Sequence, residues 1–150
     1  MKRTILAMAV TLIVGLTSAF ANKNEGVNQQ AVASFNKDFA SAKNVIWQQE
    51  KDYVKAIFTM NNQVMFAYYN ENGELLGVTR NILSDHLPIQ LLADLRKNYS
   101  DYWISDLFEI ASENQTTYYI SIENAGKSVV LKSNDYNEWT VYKKTKKNLE

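Results

Sequence analysis

The only imidazole in the chain, His86, stands beside Ser84 and Asp85, the residue types that build a general base with its nucleophile and orienting acid. A triad needs groups that converge in space, however, and Ser-Asp just ahead of an apolar helix face is also the ordinary composition of a cap. These three residues therefore read as a helix start. There is no Cys, so thiol chemistry is excluded, and with one His the usual transition-metal ligand sets are excluded as well. Oxygen ligands for harder ions remain. Asn70, Asn72 and Glu74 alternate along one turn, and Asn134, Asp135 and Glu138 do so more loosely along another. Neither run has the length or acidity of a calcium loop, so both read as hairpin turns. The five Gly are scattered and form no phosphate cradle. Lys143, Lys144, Lys146 and Lys147 could meet anionic lipid or polysaccharide, but they read as a solvated terminal tail. No catalytic residue, metal ligand or cofactor is expected, and the chain reads as a non-enzyme.

The elements that would carry any site begin after residue 21. Lys2 and Arg3 give a positive start, Ile5 to Leu16 is uncharged and apolar, and Ala19-Phe20-Ala21 sets small residues three and one before a cleavage point. The reading is a signal peptide over 1–21, cleaved after Ala21, because a membrane span needs about 20 apolar residues. No Cys follows for lipid attachment. Cleavage takes Lys2 and Arg3 from the 16 basic residues and leaves 14 against 16 acidic ones, so attraction to nucleic acid is excluded as a driving force. With 46% hydrophobic residues and one Pro, residues 22–150 form one domain stabilised by packing alone. The location expected is periplasmic or secreted, with no membrane span after cleavage.

One motif is written twice in that domain, over about 27–82 and 85–143. Ala31, Val32, Phe35 and Phe39 follow the spacing of one helix face, and Leu91, Leu92, Leu95 and Tyr99 repeat it 60 positions later. Trp47 and Leu107 share the same offset. The first helix is expected over 28–41, followed by strands near 44–49, 53–60, 63–69 and 74–81, with Asn61-Asn62 as a two-residue hairpin. The second is expected over 86–99, with Asp85 as cap and Pro88 in the first turn. Strands follow near 103–111, 116–123, 127–132 and 138–143. The fold class is α+β: tandem α-β-β-β-β repeats forming one antiparallel sheet of about eight strands with two helices on one face.

The run Ala31-Val32, Phe35, Phe39, Ala42-Lys43-Asn44-Val45 and Trp47, with Ala56, Phe58 and Asn72-Gly73-Glu74-Leu75, resembles the exported PepSY-like family of Bacteroidetes, also labelled β-lactamase-inhibitor-like. Leu87-Pro88 and the Tyr118-Tyr119 strand fit its second repeat, and the likeness spans essentially all of 22–150. The family tends to place Pro before and after the first helix, where this chain has Asn28 and Ser41, and its first hairpin usually carries a Gly that is missing here. The resemblance implies an envelope protein related in fold to an inhibitor. It does not imply inhibition of any particular enzyme.

Alternation along each strand sorts the sheet into two sides. Val45, Trp47, Val54, Ala56, Phe58, Met65, Ala67, Tyr69 and Leu75 belong beneath the first helix. Leu107, Tyr118, Ile120, Ile122, Val129, Leu131 and Trp139 belong beneath the second. The other side receives Tyr53, Lys55, Ile57, Thr59, Phe66, Tyr68, Leu76 and Val78, then Tyr119, Ser121, Val130, Thr140 and Tyr142. A solvated side would be more polar. The expected function is therefore an exported protein- or peptide-binding module, with an envelope protein or peptide as partner and inhibition of an envelope enzyme as one form of it. Its site is an exposed aromatic face of Tyr53, Phe66, Tyr68, Tyr119 and Tyr142. Two alternatives compete: a carrier of a small molecule or envelope polymer, using a cavity between sheet and helices, and a structural homodimer paired through the apolar face.

Overall fold

The computed structural model describes residues 26–113 and 115–147. The expected signal peptide and its cleavage point lie outside them. Helix α1 (Gln29–Asp38) begins where the Asn28 side chain accepts the free amides of Gln30 and Ala31 at 2.8 and 3.3 Å. It leads to strands β1 (Lys43–Gln49), β2 (Val54–Met60), β3 (Gln63–Tyr69) and β4 (Leu75–Asn81). Helix α2 (Ile89–Asn98) leads to β5 (Trp103–Ser112), β6 (Gln115–Glu123), β7 (Lys127–Ser133) and β8 (Thr140–Lys146). All eight strands form one antiparallel sheet in chain order, with β1 and β8 outermost. Each strand follows its neighbour through a hairpin except at β4–β5, where the α2 segment intervenes. Asn61 and Asn62 both adopt positive φ in the β2–β3 hairpin, as a tight two-residue turn requires.

The start of α2 differs from expectation. Asp85 is no cap: it sits with Ser84 and His86 in a separate turn of 3₁₀-helix, and Pro88 occupies the cap position with no side-chain bond. The cause is Pro88 itself, which forces Leu87 into an extended conformation (φ −69°, ψ 147°) and so prevents the helix from starting earlier. The lysine run also differs. Lys143, Lys144 and Lys146 belong to β8, whose seven residues are all exposed, and do not form a free tail.

Each helix covers its own part of the sheet. Under α1, Ala31 and Phe35 pack on Val54, Ala56, Phe58, Ala67 and Tyr69. Phe35 is the centre of this cluster, with the rings of Trp47, Phe58 and Phe39 at 5.1, 5.0 and 5.3 Å. Under α2, Leu91 and Leu95 pack on Leu107, Ile120, Ile122 and Leu131. Trp139 closes that cluster, and its indole N–H donates to the Leu91 carbonyl at 2.9 Å. Between the two clusters the register sets Met65, Arg80, Glu109 and Tyr118 in one row. There Arg80 Nε donates to Glu109 Oε1 at 2.6 Å, so a polar seam divides the helix side.

The β3–β4 hairpin is docked onto the start of α1. The Asn28 side-chain Nδ2 donates to the Glu71 carbonyl at 2.6 Å, and Gly73, at φ +76°, lies so close to Gln30 that a Cβ would sit 2.8 Å from its backbone. Just beyond it the side assignment fails. Tyr69 pairs with Leu75 but Tyr68 pairs with Gly77, so Leu76 is an extra residue and the alternation reverses. Val78 therefore joins the core under α1, while Leu75 is exposed.

Candidate binding face

Cross-strand partners share a side of the sheet, so the register fixes what the side away from the helices presents. One row runs Ile46, Ile57, Phe66, Thr79, Ile110, Thr117, and a shorter one runs Gln48, Lys55, Tyr68, Gly77. Further along are Asn81, Phe108, Tyr119, Lys132, Thr140, then Asp106, Ser121, Val130, Lys143. None of these residues belongs to either helix-packed cluster. The face thus combines rings and branched side chains with hydroxyls and a few charges.

The five residues expected to bind share this face but are not the exposed set foreseen. Tyr119 is fully buried and Tyr53 is 9% exposed; Phe66 and Tyr68 are half-buried, and only Tyr142 is exposed, at 38%. Neighbouring strands cover the rings. Phe108 stacks on Tyr119 at 5.3 Å with an 11° tilt, Tyr142 meets it edge-on at 5.6 Å, and the Lys132 ammonium lies 5.8 Å from its centre. Tyr53 and Tyr68 meet edge-on at 5.8 Å, and the Lys55 ammonium lies 5.0 Å over Phe66. Register shifts at Lys43/Ile46, Tyr68/Tyr69, Ile104/Asp106 and Val130/Leu131 bend the strands and let side chains lean over one another. The result is two aromatic clusters, one on β2–β3 and one on β5–β8, in place of a single patch.

Burial shifts the polar groups of this face. It pushes the Tyr68 hydroxyl up to about 12, with a bond to Thr79 acting the other way. It raises Tyr119 further, helped by Tyr142. It lowers both Lys55 and Lys132, Glu50 partly opposing the shift at Lys55. It raises the Asp106 carboxyl against the pull of the Leu107 amide. Two buried oxygens, Tyr119 Oη and Asp106 Oδ2, have no hydrogen-bond partner among the described residues.

Phe108, Ile110, Lys132 and Asp106 were missing from the expected site. Counting alternately from Leu107 would have placed Asp106 and Phe108 here, and the like step from Leu131 would have placed Lys132.

The residues first weighed for chemistry do not converge. His86 Nε2 lies 3.9 Å from Asp85 Oδ1, both on the exposed turn. Asn70 folds its own turn, its Oδ1 accepting the amides of Asn72 and Glu74 at 2.9 Å, and Asp135 likewise accepts the Asn137 amide at 3.1 Å. Among the described residues no three His, Asp or Glu side chains gather as metal ligands would. A cleft of about 810 Å³ opens where β4 and β5 part, lined by Glu74, Leu75, Gly77, Ser112, Gln115 and Tyr136. It lies at the end of the β4–β5 seam and not in the space between sheet and helices.

The architecture is that of a helix-backed, eight-stranded antiparallel sheet with an uncovered face, and solved structures of Bacteroides proteins share it. A DUF2874 family protein from Bacteroides ovatus aligns with 78% of this chain and 85% of its own, at TM-score 0.69 and 16% identity. A protein of Bacteroides eggerthii assigned provisionally to the periplasm aligns over 78% and 86%, at 0.69 and 16%. A BLIP-like protein from Bacteroides fragilis aligns over 79% and 84%, at 0.66 and 16%. At such identities the likeness is one of fold. No protein-family model and no curated protein sequence matches the chain. The inhibitor-like half of the expected resemblance thus has a counterpart in fold, while the PepSY-like half rests on the sequence spacings alone.

Proposed function

We propose that this chain is an exported, non-enzymatic protein- or peptide-binding module of the bacterial envelope, and that it binds through the sheet face turned away from its helices. The observation that carries this reading is the composition of that face. Rings, branched side chains and the lysines Lys55, Lys132 and Lys143 are held on a rigid sheet that neither helix covers, and rigid aromatic area is what binding surfaces use. Export draws support from the leader-like first 21 residues and from the B. eggerthii neighbour. The BLIP-like neighbour supports inhibition of an envelope enzyme as the form binding takes.

Two fused α-β-β-β-β units would account for the architecture. Both helices span ten residues, and the same two positions of each, 60 residues apart, are buried: Ala31 and Phe35 in α1, Leu91 and Leu95 in α2. Affinity capture from an envelope extract tests the binding face, comparing the native protein with a Phe66→Ser/Tyr68→Ser variant and a Tyr142→Ser variant. A partner held by the native protein and lost from folded variants is the expected result. A partner held equally by all three would remove the site, and a stable dimer at low concentration by size exclusion would favour the homodimer reading.

A further inference from the structure

Three ammonium groups lie over aromatic rings on this side: Lys147 over Trp103, with Glu123 as its ion-pair partner, and Lys55 and Lys132, one in each cluster. Lys55 is only 8% exposed as a residue. Lys132 is half-buried, so burial takes part of the water from both, and removing a cation from water is costly unless an anion replaces the lost solvation. A ring replaces part of it. Yet among the described residues neither ammonium has a carboxylate within ion-pair distance: the ion pairs found are Arg80 with Glu109, His86 with Asp85, and Lys147 with Glu123. Glu50 acts on Lys55 only through space. The other carboxylates on the face offer no help, since Lys147 holds Glu123 at 2.6 Å and Asp106 belongs to a different row from both lysines. With Lys143 alongside, the face carries an excess of positive charge in a chain whose 16 basic and 16 acidic residues balance overall.

We propose that the partner of this face is an acidic, extended protein segment, and that Lys55 and Lys132 each receive one of its carboxylates. This rests on the binding-face reading above and adds the chemistry of the occupant. Five strand spacings of about 4.8 Å separate β2 from β7, and the Lys55 row meets β4 at Gly77 while the Lys132 row meets it at Asn81, four residues further along, so the lysines lie about 27 Å apart on a flat sheet and closer on a bent one. An extended segment rises about 3.3 Å per residue, which puts the two acids about eight residues apart, on the same side of the segment. The rings beneath the lysines and the row of Phe66, Thr79, Ile110 and Thr117 between them would meet the residues in the middle of the segment.

The test is fluorescence anisotropy with a labelled twelve-residue peptide of Ser, Thr and Tyr bearing two Glu about eight positions apart, beside a twin carrying Gln at both. The Glu peptide should bind the purified protein at least tenfold more tightly than its twin at low salt, and the advantage should shrink as salt rises. Lys55→Met and Lys132→Met keep the apolar stems, so each should cut the advantage severalfold and the double variant should abolish it. Arg at both positions should preserve it, and Lys144→Met on the edge strand should leave it intact. If Lys55→Met does not fold, Lys132→Met and the salt dependence decide the matter. Equal binding of the two peptides, an advantage that survives in the folded double variant, or no binding of the Glu peptide at millimolar concentration would overturn the proposal. The face reading fails separately, when a captured partner ignores the Phe66→Ser/Tyr68→Ser change.

Discussion

Asp106 offers the sharpest test of how the uncovered face is held together. Its Oδ2 is buried with no partner among the described residues, while the residue as a whole is only half-buried. A sealed, unpartnered oxygen costs about 1–3 kcal/mol; because part of the side chain still reaches water, the lower end applies, about 1 kcal/mol. Asp106→Ala should therefore leave the protein more stable at neutral pH, by about 1 kcal/mol, or about 3–5 °C in the thermal midpoint for a domain of this size. The sign with pH follows from burial raising the carboxyl above its ordinary 3.8. Below the unfolded value the group is protonated in both states and the penalty vanishes. As pH rises through the raised folded value, the folded state must carry the charge and the penalty becomes complete. The gap between variant and native protein should thus open as pH climbs from the ordinary carboxylate range and stay open at neutrality. Urea titrations across that range, with the slope held constant, measure it. A gap of zero at neutral pH, or one that widens toward acid, would refute the reasoning and show that Oδ2 is satisfied in solution.

Other expectations are simpler. Tyr119→Phe removes a buried hydroxyl that bonds to nothing described, so chemical denaturation should find it neutral or slightly stabilising, within about 1 kcal/mol. Gly73→Ala should cost more than Gly26→Ala: both have positive φ, worth about 1–2 kcal/mol, but only at Gly73 does the new methyl strike the Gln30 backbone. Equal losses in equilibrium unfolding would dismiss the docking of that hairpin on α1. Phe35→Ala empties the centre of the first cluster and should cost about 3–5 kcal/mol, read as a lowered urea midpoint.

The elements were legible because their signals are local. Ala31, Phe35, Leu91 and Leu95 lie on apolar helix faces that no strand pattern mimics, and Asn61-Asn62 has the turn chemistry its conformation demands. Features that depend on register were not legible. The extra residue at Leu76 moved Val78 to the opposite side, and no spacing in the Leu75 to Asn81 run announces such a slip. Pro88 was noticed for what it permits in a first turn, whereas its grip on Leu87 decided where α2 begins. The five aromatic residues of the face were found by alternation, but their exposure was misjudged. Whether Tyr119 meets solvent depends on Phe108, Tyr142 and Lys132, which come together only through the pairing of four strands.

The outer strands settle how the molecule can meet its surroundings. An open sheet invites lateral growth, since a free margin can template another chain. Here one margin, β8, presents Lys143, Lys144 and Lys146, so two such strands laid side by side would repel. The opposite one, β1, is interrupted by a left-handed Asn44 and a jump in pairing before Ile46, which spoils the straight ladder a newcomer would need. Sideways polymerisation is blocked at both ends, leaving broadside approach as the geometry open to a visitor.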